Sequence, residues 1–401
     1  MYLKNKTLFV RRKNFLPVVV CAIILFLAAA ACRNVSEKPE MTAEYIEHSA
    51  LETATEYIEH EVPEAPADQI EQNIPEASVE NTEQNALTGL MDQIVQNTPK
   101  APDPPDTPEN IQPKPKYLTG EDPELAARYG WPVKYPELLA GSILPDKRIV
   151  AYYGTPRSKL MGVLGQYPKD EMLARLKKEV DKWEEADPAH KVQPALHLIA
   201  VVAQDVPGTA KRYRNIMPDS VVEEVYEWAR EAGAIMFIDI QAGHDDIRDL
   251  LPRFEWILKK PDVHLAIDPE FYMISSGKVP GTIIGTIDAR DVNYVSDYLG
   301  TLVKEHSLPP KVFVIHRFTR NMVTNSNKII LCPEVAIVMH MDGWGAPSLK
   351  RSTYRDVIIR EPVQFTGFKL FYHNDTKNGH GMLEPHEIIR LIPAPLYIQY
   401  Q

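Results

Sequence analysis

The sequence predicts an α/β fold over residues 117–401, namely a (β/α)8 or TIM barrel. Short apolar runs recur along this part of the chain, and amphipathic stretches separate most of them. The runs are continuously apolar rather than alternating, which is typical of parallel strands covered on both faces. Eight such strand–helix units in a segment of this length fit a closed barrel.

Eight apolar runs are the predicted strands, and five stretches between them are the predicted helices. The strands are RIVAYYG (148–154), ALHLIAVVA (195–203), AIMFIDI (234–240), VHLAID (263–268), KVFVIH (311–316), EVAIVMHMD (334–342), GFKLFYH (367–373) and PLYIQY (395–400). The helices are 169–186, 220–233, 246–260, 289–307 and 348–360. Most of these stretches have apolar residues at helical spacing, as Leu173, Leu176 and Trp183 do in the first.

An open, doubly wound sheet is the alternative architecture for the same alternation of strands and helices. Nucleotide-binding sheets of that kind place a glycine-rich phosphate loop directly after the first strand. The corresponding segment here, YYGTPRS (152–158), contains a single glycine. The closed barrel is therefore preferred, and the nucleotide-binding form of the open sheet is disfavoured.

Residues 1–32 have the features of a secretory signal peptide. Five basic residues and no acidic residue precede the apolar run VVVCAIILFLAAAA, which is short for a transmembrane helix. The ending Ala29-Ala30-Ala31-Cys32 resembles a bacterial lipobox, so we predict lipidation of Cys32. The rest of the chain would then lie at the outer face of the bacterial cell membrane, outside the cytoplasm. Ordinary cleavage or an uncleaved anchor is the alternative.

Residues 33–116 are predicted to form a disordered, acidic tether. The segment is rich in Glu, Pro, Asn, Gln and Thr, and it repeats EYIEH at 44–48 and 56–60. Such a composition buries too little apolar surface to offset chain entropy. A partner-binding helix at 42–60 is the alternative. The formal net charge of −11 owes much to this segment, and the absence of a basic patch argues against a nucleic-acid partner.

Polar residues occur at the C-terminal ends of the predicted strands, where TIM barrels have their active sites. Side chains two residues apart on a strand share a face, and three strands end in such a polar pair. Any one pair could cap a helix or bind a basic residue at the barrel rim, but three together indicate a functional site. The pairs are Asp239 with Gln241, Asp268 with Glu270, and His340 with Asp342.

Aromatic residues near the same strand ends suggest a sugar as the ligand. Trp344 lies between two glycines after the sixth strand, and Tyr153 and Tyr372 end the first and seventh. Sugar rings present an apolar C–H face and a polar edge, which suits aromatic rings with hydrogen-bonding tips. Each aromatic residue could instead pack in the core or at the rim. His316 could equally be a core histidine that is hydrogen-bonded to a carboxylate.

These strand ends resemble those of barrel glycosidases. The run IVAYYG resembles the first strand of glycoside hydrolase family 18, the chitinase-like enzymes. Asp268-Pro269-Glu270 matches the end of that family's catalytic motif and the Asp-x-Glu of the family 25 lysozymes. VMHMDGWG is similar to the family 18 Met-x-Tyr-Asp strand, with His340 at the tyrosine position. The chain departs from family 18 at Val263 and Ala266, where the family has aspartates, and it has DIQAG in place of Ser-x-Gly-Gly.

The resemblance implies a glycosidase that acts on a polysaccharide or a cell-wall glycan. Glu270 would protonate the glycosidic oxygen, and Asp268 would raise the pKa of that acid by like-charge repulsion. Asp342 would stabilise positive charge or position an N-acetyl group, and Asp239 or Asp342 would supply a second carboxylate. We expect a monomer without a cofactor or metal. The candidate substrate-binding residues are Tyr153, Gln241, His316, His340, Trp344, Tyr372 and Gln399.

Two other functions compete with the glycosidase. The first is a metal-dependent hydrolase, because six strand-end residues could form a nitrogen and oxygen ligand set. The chain has neither a His-x-His motif on the first strand nor a His-Glu-x-x-His helix, and the absence of both argues against a metal-dependent hydrolase. The second is a lipid-anchored barrel that binds glycans without catalysis, since fold alone does not confer activity. The six residues are Asp239, Asp268, Glu270, His316, His340 and Asp342.

Overall fold

The structure is a computed structural model that describes residues 117–208 and 210–401. Its strands are β1 (Lys147–Gly154), β2 (Lys191–Ala203), β3 (Arg214–Ile216), β4 (Ile235–Ile240), β5 (Val263–Ile267), β6 (Ile287–Asp288), β7 (Lys311–Arg317), β8 (Val323–Thr324), β9 (Val335–Met341), β10 (Phe365–Leu370) and β11 (Tyr397–Tyr400). The predicted signal peptide at 1–32, with Cys32, and the predicted tether at 33–116 lie outside the described residues.

The predicted barrel is confirmed. Strands β1, β2, β4, β5, β7, β9, β10 and β11 pair in parallel in this order, and β11 pairs back with β1 to close the sheet. The short strand β3 runs antiparallel to the end of β2, and β6 pairs with β8 outside the barrel. Each of the eight predicted runs overlaps one barrel strand. Because closure removes both sheet edges, every barrel strand has a hydrogen-bonding neighbour on each side.

Strand β2 begins four residues before its predicted start, and both ends of β10, expected at 367–373, lie earlier in the chain than predicted. The chain turns after Leu370, because the Asp375 carboxylate accepts a hydrogen bond from the backbone N–H of Phe371 at 3.0 Å. The backbone N–H of Asp375 donates in turn to the Phe371 carbonyl at 3.1 Å. This local ring of hydrogen bonds ends the strand and begins the loop that follows it.

The helices lie around the barrel and between its strands. They are α1 (Pro123–Arg128), α2 (Val163–Gln166), α3 (Lys169–Ala186), α4 (Asp219–Glu231), α5 (Ile247–Leu250), α6 (Glu255–Leu258), α7 (Ala289–His306), α8 (Pro347–Thr353) and α9 (Pro385–Ile388). The helix predicted at 246–260 is divided, because Leu251–Phe254 forms a 3-10 turn that contains Pro252. A π-helical turn, Tyr354–Ile359, continues α8. No helix of the described segment is long and apolar enough to cross a membrane.

The barrel strands bury both faces, and the two faces have different neighbours. Outward residues such as Leu196, Ile238 and Leu265 belong to the large core beneath the helices, together with Trp183 of α3. Inward residues form a second, smaller core inside the barrel. Most are apolar toward the N-terminal ends of the strands, where His264 of β5 packs against Phe237, and the members of this inner core include Ile149, Ala151, Ala195, Phe237, Ala266, Val314, Val338 and Tyr397.

One glycine on β10 makes room for a histidine inside the barrel. A Cβ atom built at Gly367 would lie 2.5 Å from Nδ1 of His340 and 3.0 Å from the carbonyl oxygen of Tyr397. Gly367 is aligned with His340 across the β9–β10 pairing. The imidazole therefore occupies the space that any other residue at position 367 would fill.

Replacement of Gly367 by alanine tests this close packing. We expect Gly367→Ala to lower the free energy of unfolding by about 1–3 kcal/mol, since the methyl group would overpack the barrel interior. Urea denaturation monitored by circular dichroism measures the change. Gly381→Ala is the control, because nothing lies within 4 Å of its added Cβ. Equal stability of the two variants would contradict the proposed contact with His340.

Candidate active site

The inward side chains change from apolar to polar toward the C-terminal ends of the strands. Together with two carboxyl groups that follow β5, they form a polar cluster in the upper half of the barrel. All of its members are buried except Glu270, which is half-buried. The polar cluster comprises Tyr153, His197, Asp239, Gln241, Asp268, Glu270, His316, His340, Asp342, Lys369, Tyr397 and Gln399.

Asp342 is held between two basic side chains. Nδ1–H of His316 donates to Oδ2 of Asp342 at 2.6 Å, and Nζ of Lys369 lies 2.9 Å from Oδ1 and 3.2 Å from Oδ2. Burial raises the pKa of Asp342, but the charges of Lys369 and His316 outweigh it and lower the pKa well below its ordinary value. Asp342 is therefore an ionised carboxylate over the physiological pH range.

Asp239 lies close to the Nε2 atoms of two histidines, His197 and His316. Its Oδ2 is 3.3 Å from Nε2 of His197 and 3.6 Å from Nε2 of His316. Burial raises the pKa of Asp239, but His316 and His197 lower it more, so the net pKa is below the ordinary value. The pKa of His197 falls to about 4, chiefly because burial disfavours its charged form. His197 is therefore neutral at physiological pH.

Asp268 and Glu270 differ from the other two carboxyl groups in having no ion-pair partner among the described residues. Burial raises the pKa of Asp268, and the charges of Asp342 and Asp239 raise it further. Burial also raises the pKa of Glu270, and the neighbouring Asp268 and Asp342 add to the shift. Asp268 Oδ1 accepts a hydrogen bond from the backbone N–H of Glu270 at 3.3 Å. Both carboxyl groups consequently favour the protonated form.

The remaining polar side chains of the cluster hold one another in place. Nδ1 of His197 is hydrogen-bonded to the Tyr397 hydroxyl at 2.5 Å, and Nε2 of Gln399 donates to the same hydroxyl at 3.0 Å. The ring of His340 meets the ring of Tyr397 edge-on at 4.9 Å and that of His316 at 5.0 Å. Burial lowers the pKa of His340 well below its ordinary value, so this histidine is neutral.

Two further residues of the cluster lie near its β1–β2 side. Nε2 of Gln241 donates to the Tyr153 hydroxyl at 3.4 Å, and Oε1 of Gln241 accepts a hydrogen bond from the backbone N–H of Ala203 at 3.1 Å. The ammonium group of Lys369 lies 4.0 Å from the centre of the Tyr153 ring, which is a cation–π contact. Gln241 and Tyr153 are both buried, and Tyr153 is 2% exposed.

The structure brings nine of the eleven predicted catalytic and substrate-binding residues into the polar cluster, and two lie elsewhere. The hydroxyl of Tyr372 is 3.0 Å from that of Tyr152, and its ring stacks on Tyr400 at 5.2 Å. Tyr372 shares the outward side of Phe368 and Leu370, facing the helical layer. Trp344 is half-buried in the loop after β9, with the Lys377 ammonium group 5.8 Å from its ring centre. The nine are Tyr153, Asp239, Gln241, Asp268, Glu270, His316, His340, Asp342 and Gln399.

Three members of the cluster were not predicted from the sequence, namely His197, Lys369 and Tyr397. His197 and Lys369 each interrupt an apolar run, LHLIAV and FKLF. A polar residue inside a buried strand requires a partner, and this was the signal available for both. Tyr397 gives no comparable signal, because tyrosine is common in strands for packing reasons alone.

The Lys369–Asp342 ion pair can be tested by removing the ammonium group of Lys369. We expect Lys369→Met to lower the free energy of unfolding at pH 7 by about 3–5 kcal/mol, because a buried carboxylate loses a counter-ion. The double variant Lys369→Met/Asp342→Asn should regain a large part of this loss. Urea denaturation of both variants measures the coupling. Lys177→Met, at an exposed ion pair on α3, is the control, and an equally small effect at Lys369 would contradict the pairing.

The pKa of Glu270 predicts a pH-dependent gain in stability for Glu270→Gln. A carboxyl group whose pKa is raised by folding costs stability as the pH rises from its unfolded-state pKa toward the raised pKa of the folded state. The variant should thus be more stable than the wild type at pH 8, by about 1 kcal/mol or more, and the difference should vanish toward pH 4. Unfolding curves across this range measure it. Glu227→Gln, at an exposed position, should show no such trend.

Comparison with known proteins does not add a family to this description. No family model matches the chain, and no curated protein matches it either. The TIM barrel hosts many unrelated activities, so the fold is compatible with an enzyme without specifying its reaction. The function has to be argued from the residues of the polar cluster.

Proposed function

We propose that the chain is a glycoside hydrolase that acts on a polysaccharide or a cell-wall glycan at the C-terminal mouth of the barrel. The observation that carries the proposal is a contrast between carboxyl groups of one cluster. Glu270 has no ion-pair partner among the described residues and lies next to Asp268, whereas Asp342 contacts both Lys369 and His316. Glycosidases need such a pair, with one carboxyl group protonated and the other ionised.

Glu270 is the proposed general acid. It is half-buried, while Asp239, Asp268 and Asp342 are at most 7% exposed. A glycosidic oxygen that enters from solvent would therefore meet Glu270 first. Its raised pKa favours the protonated carboxyl group, which is the form that can transfer a proton to the leaving oxygen.

Asp342 is the proposed ionised partner. Cleavage of a glycosidic bond develops positive charge on the sugar ring, and a fixed carboxylate stabilises that charge or attacks the anomeric carbon. The contacts with Lys369 and His316 orient both oxygens of Asp342, so little reorganisation is needed during the reaction. Asp239 is fully buried beside His197 and His316, and for this reason we assign it no contact with the substrate.

The remaining parts of the proposal concern the substrate and the location. Trp344 is the half-buried aromatic ring in the loop after β9, and it offers a stacking surface for a sugar ring. Lipidation at Cys32 would hold the enzyme at the outer face of the cell membrane, where cell-wall glycans are within reach. A monomer without a nucleic-acid partner suffices for this activity.

The test of the proposal is Glu270→Gln assayed on peptidoglycan, chitin and plant polysaccharides. On the substrate that the wild type cleaves, we expect kcat to fall by about 10²–10⁴-fold, because the amide cannot donate the required proton. The Kd for the glycan, measured by isothermal titration calorimetry, should change little. Glu171→Gln on α3, at an exposed ion pair, is the matched control and should retain full turnover. Undiminished hydrolysis by Glu270→Gln would refute the assignment.

A further inference from the structure

We propose that His197, Asp239 and His316 bind a divalent transition-metal cation of the zinc class inside the barrel. The three residues come from β2, β4 and β7, and all three are fully buried. Their donor atoms lie within 4.8 Å of one another. The acid–base chemistry proposed above does not require this cation, so the inference stands independently of the glycosidase.

The distances between the donor atoms match a common ligand set. Oδ2 of Asp239 is 3.3 Å from Nε2 of His197 and 3.6 Å from Nε2 of His316. None of these three atoms has a hydrogen-bond partner among the described residues. Imidazole and carboxylate ligands at about 2.0–2.2 Å from a tetrahedral zinc ion lie roughly 3.3–3.6 Å apart. The separations therefore match those of neighbouring ligands of one ion.

The same atoms have no other use in the described part of the chain. Nε2 of His197, Nε2 of His316 and both carboxylate oxygens of Asp239 are buried without a hydrogen-bond partner among the described residues. A buried carboxylate without hydrogen bonds is strongly destabilised unless a cation compensates it. The three side chains bring buried nitrogen and oxygen atoms without hydrogen-bond partners close together, which is the arrangement that a cation stabilises.

The second ring nitrogen of His316 supports the assignment. Nδ1–H of His316 donates to the Asp342 carboxylate at 2.6 Å. Metal-binding histidines ordinarily donate the N–H of the other ring nitrogen to a carboxylate or another acceptor, which fixes the tautomer. With Nδ1 protonated, the Nε2 lone pair of His316 is available to the cation next to Asp239. Nδ1 of His197 lies 2.5 Å from the Tyr397 hydroxyl and 3.1 Å from Nε2 of Gln399, and these contacts fix the orientation of its ring.

A second set of donors, Asp268, His316 and Asp342, also comes within 4.8 Å but is less suitable. Nδ1 of His316 already donates to Asp342, and Lys369 already neutralises Asp342. Two imidazoles and one carboxylate favour zinc and its neighbours among the transition metals, whereas Mg²⁺ and Ca²⁺ prefer oxygen ligands. The first set therefore gives both the position and the class of the cation.

The test is a direct measurement of zinc binding by the full chain, purified without a histidine tag or chelator. After removal of bound metal with a chelator and dialysis, titration with ZnCl₂ by calorimetry should show one zinc ion per chain, and MgCl₂ and CaCl₂ should show none. We expect Asp239→Asn to weaken zinc binding at least about 100-fold, and Asp342→Asn to weaken it about 10–100-fold through the orientation of His316.

The matched controls are Asp268→Asn and Glu270→Gln, which should bind zinc as the wild type does. They also separate this inference from the proposed function, since loss of turnover in Glu270→Gln would leave zinc binding intact. Circular dichroism confirms that each variant is folded. Absence of stoichiometric zinc in the wild type, or wild-type affinity in a folded Asp239→Asn, would overturn the inference. Loss of zinc in Asp268→Asn with retention in Asp239→Asn would assign the ion to the second set instead.

Discussion

The polar interior of this barrel depends on the contact of Asp342 with Lys369 and His316. A carboxylate in the barrel interior is unstable unless cations and hydrogen-bond donors compensate the lost hydration. Lys369 supplies the charge from β10, and His316 supplies a directed hydrogen bond from β7. These two contacts tie three separate strands together through one carboxylate. The same contacts hold Asp342 in one orientation, which is why it can serve as the ionised partner of Glu270.

Closure of the sheet makes this arrangement possible. Inward residues of the barrel strands meet in a space that the sheet encloses, so each buried polar side chain must find its partner inside the barrel. Apolar residues such as Ala151, Phe237 and Val338 fill the lower part of that space. Gly367 leaves the volume that the ring of His340 occupies. The barrel thereby combines a densely packed base with a polar upper half, and the carboxyl groups at the mouth rest on a rigid support.

Much of the fold could be predicted because apolar runs and helical periodicity are local signals. The sequence also predicts that Asp268 and Glu270 belong to the site, because the end of a strand and the alternation of its faces are local patterns. It does not predict Lys369 and His197, because the inward direction of their side chains depends on pairing with distant strands. Tyr372 was assigned to the site from its position at a strand end, but it continues the outward side of β10. Direction around a closed barrel is a tertiary property, and no local pattern specifies it.

The charge of the cluster links the proposed acid with the proposed cation. Asp342 has the ammonium group of Lys369 within ion-pair distance, whereas Asp239 has only imidazole nitrogens beside it. Nε2 of His316 lies 3.6 Å from Asp239, too far for an ordinary hydrogen bond. A divalent cation would supply positive charge next to Asp239. It would also reduce the repulsion between Asp239 and Asp268 that helps to raise the pKa of Asp268. The pKa of Glu270, which is raised first by burial and then by Asp268 and Asp342, would stay raised with or without the cation.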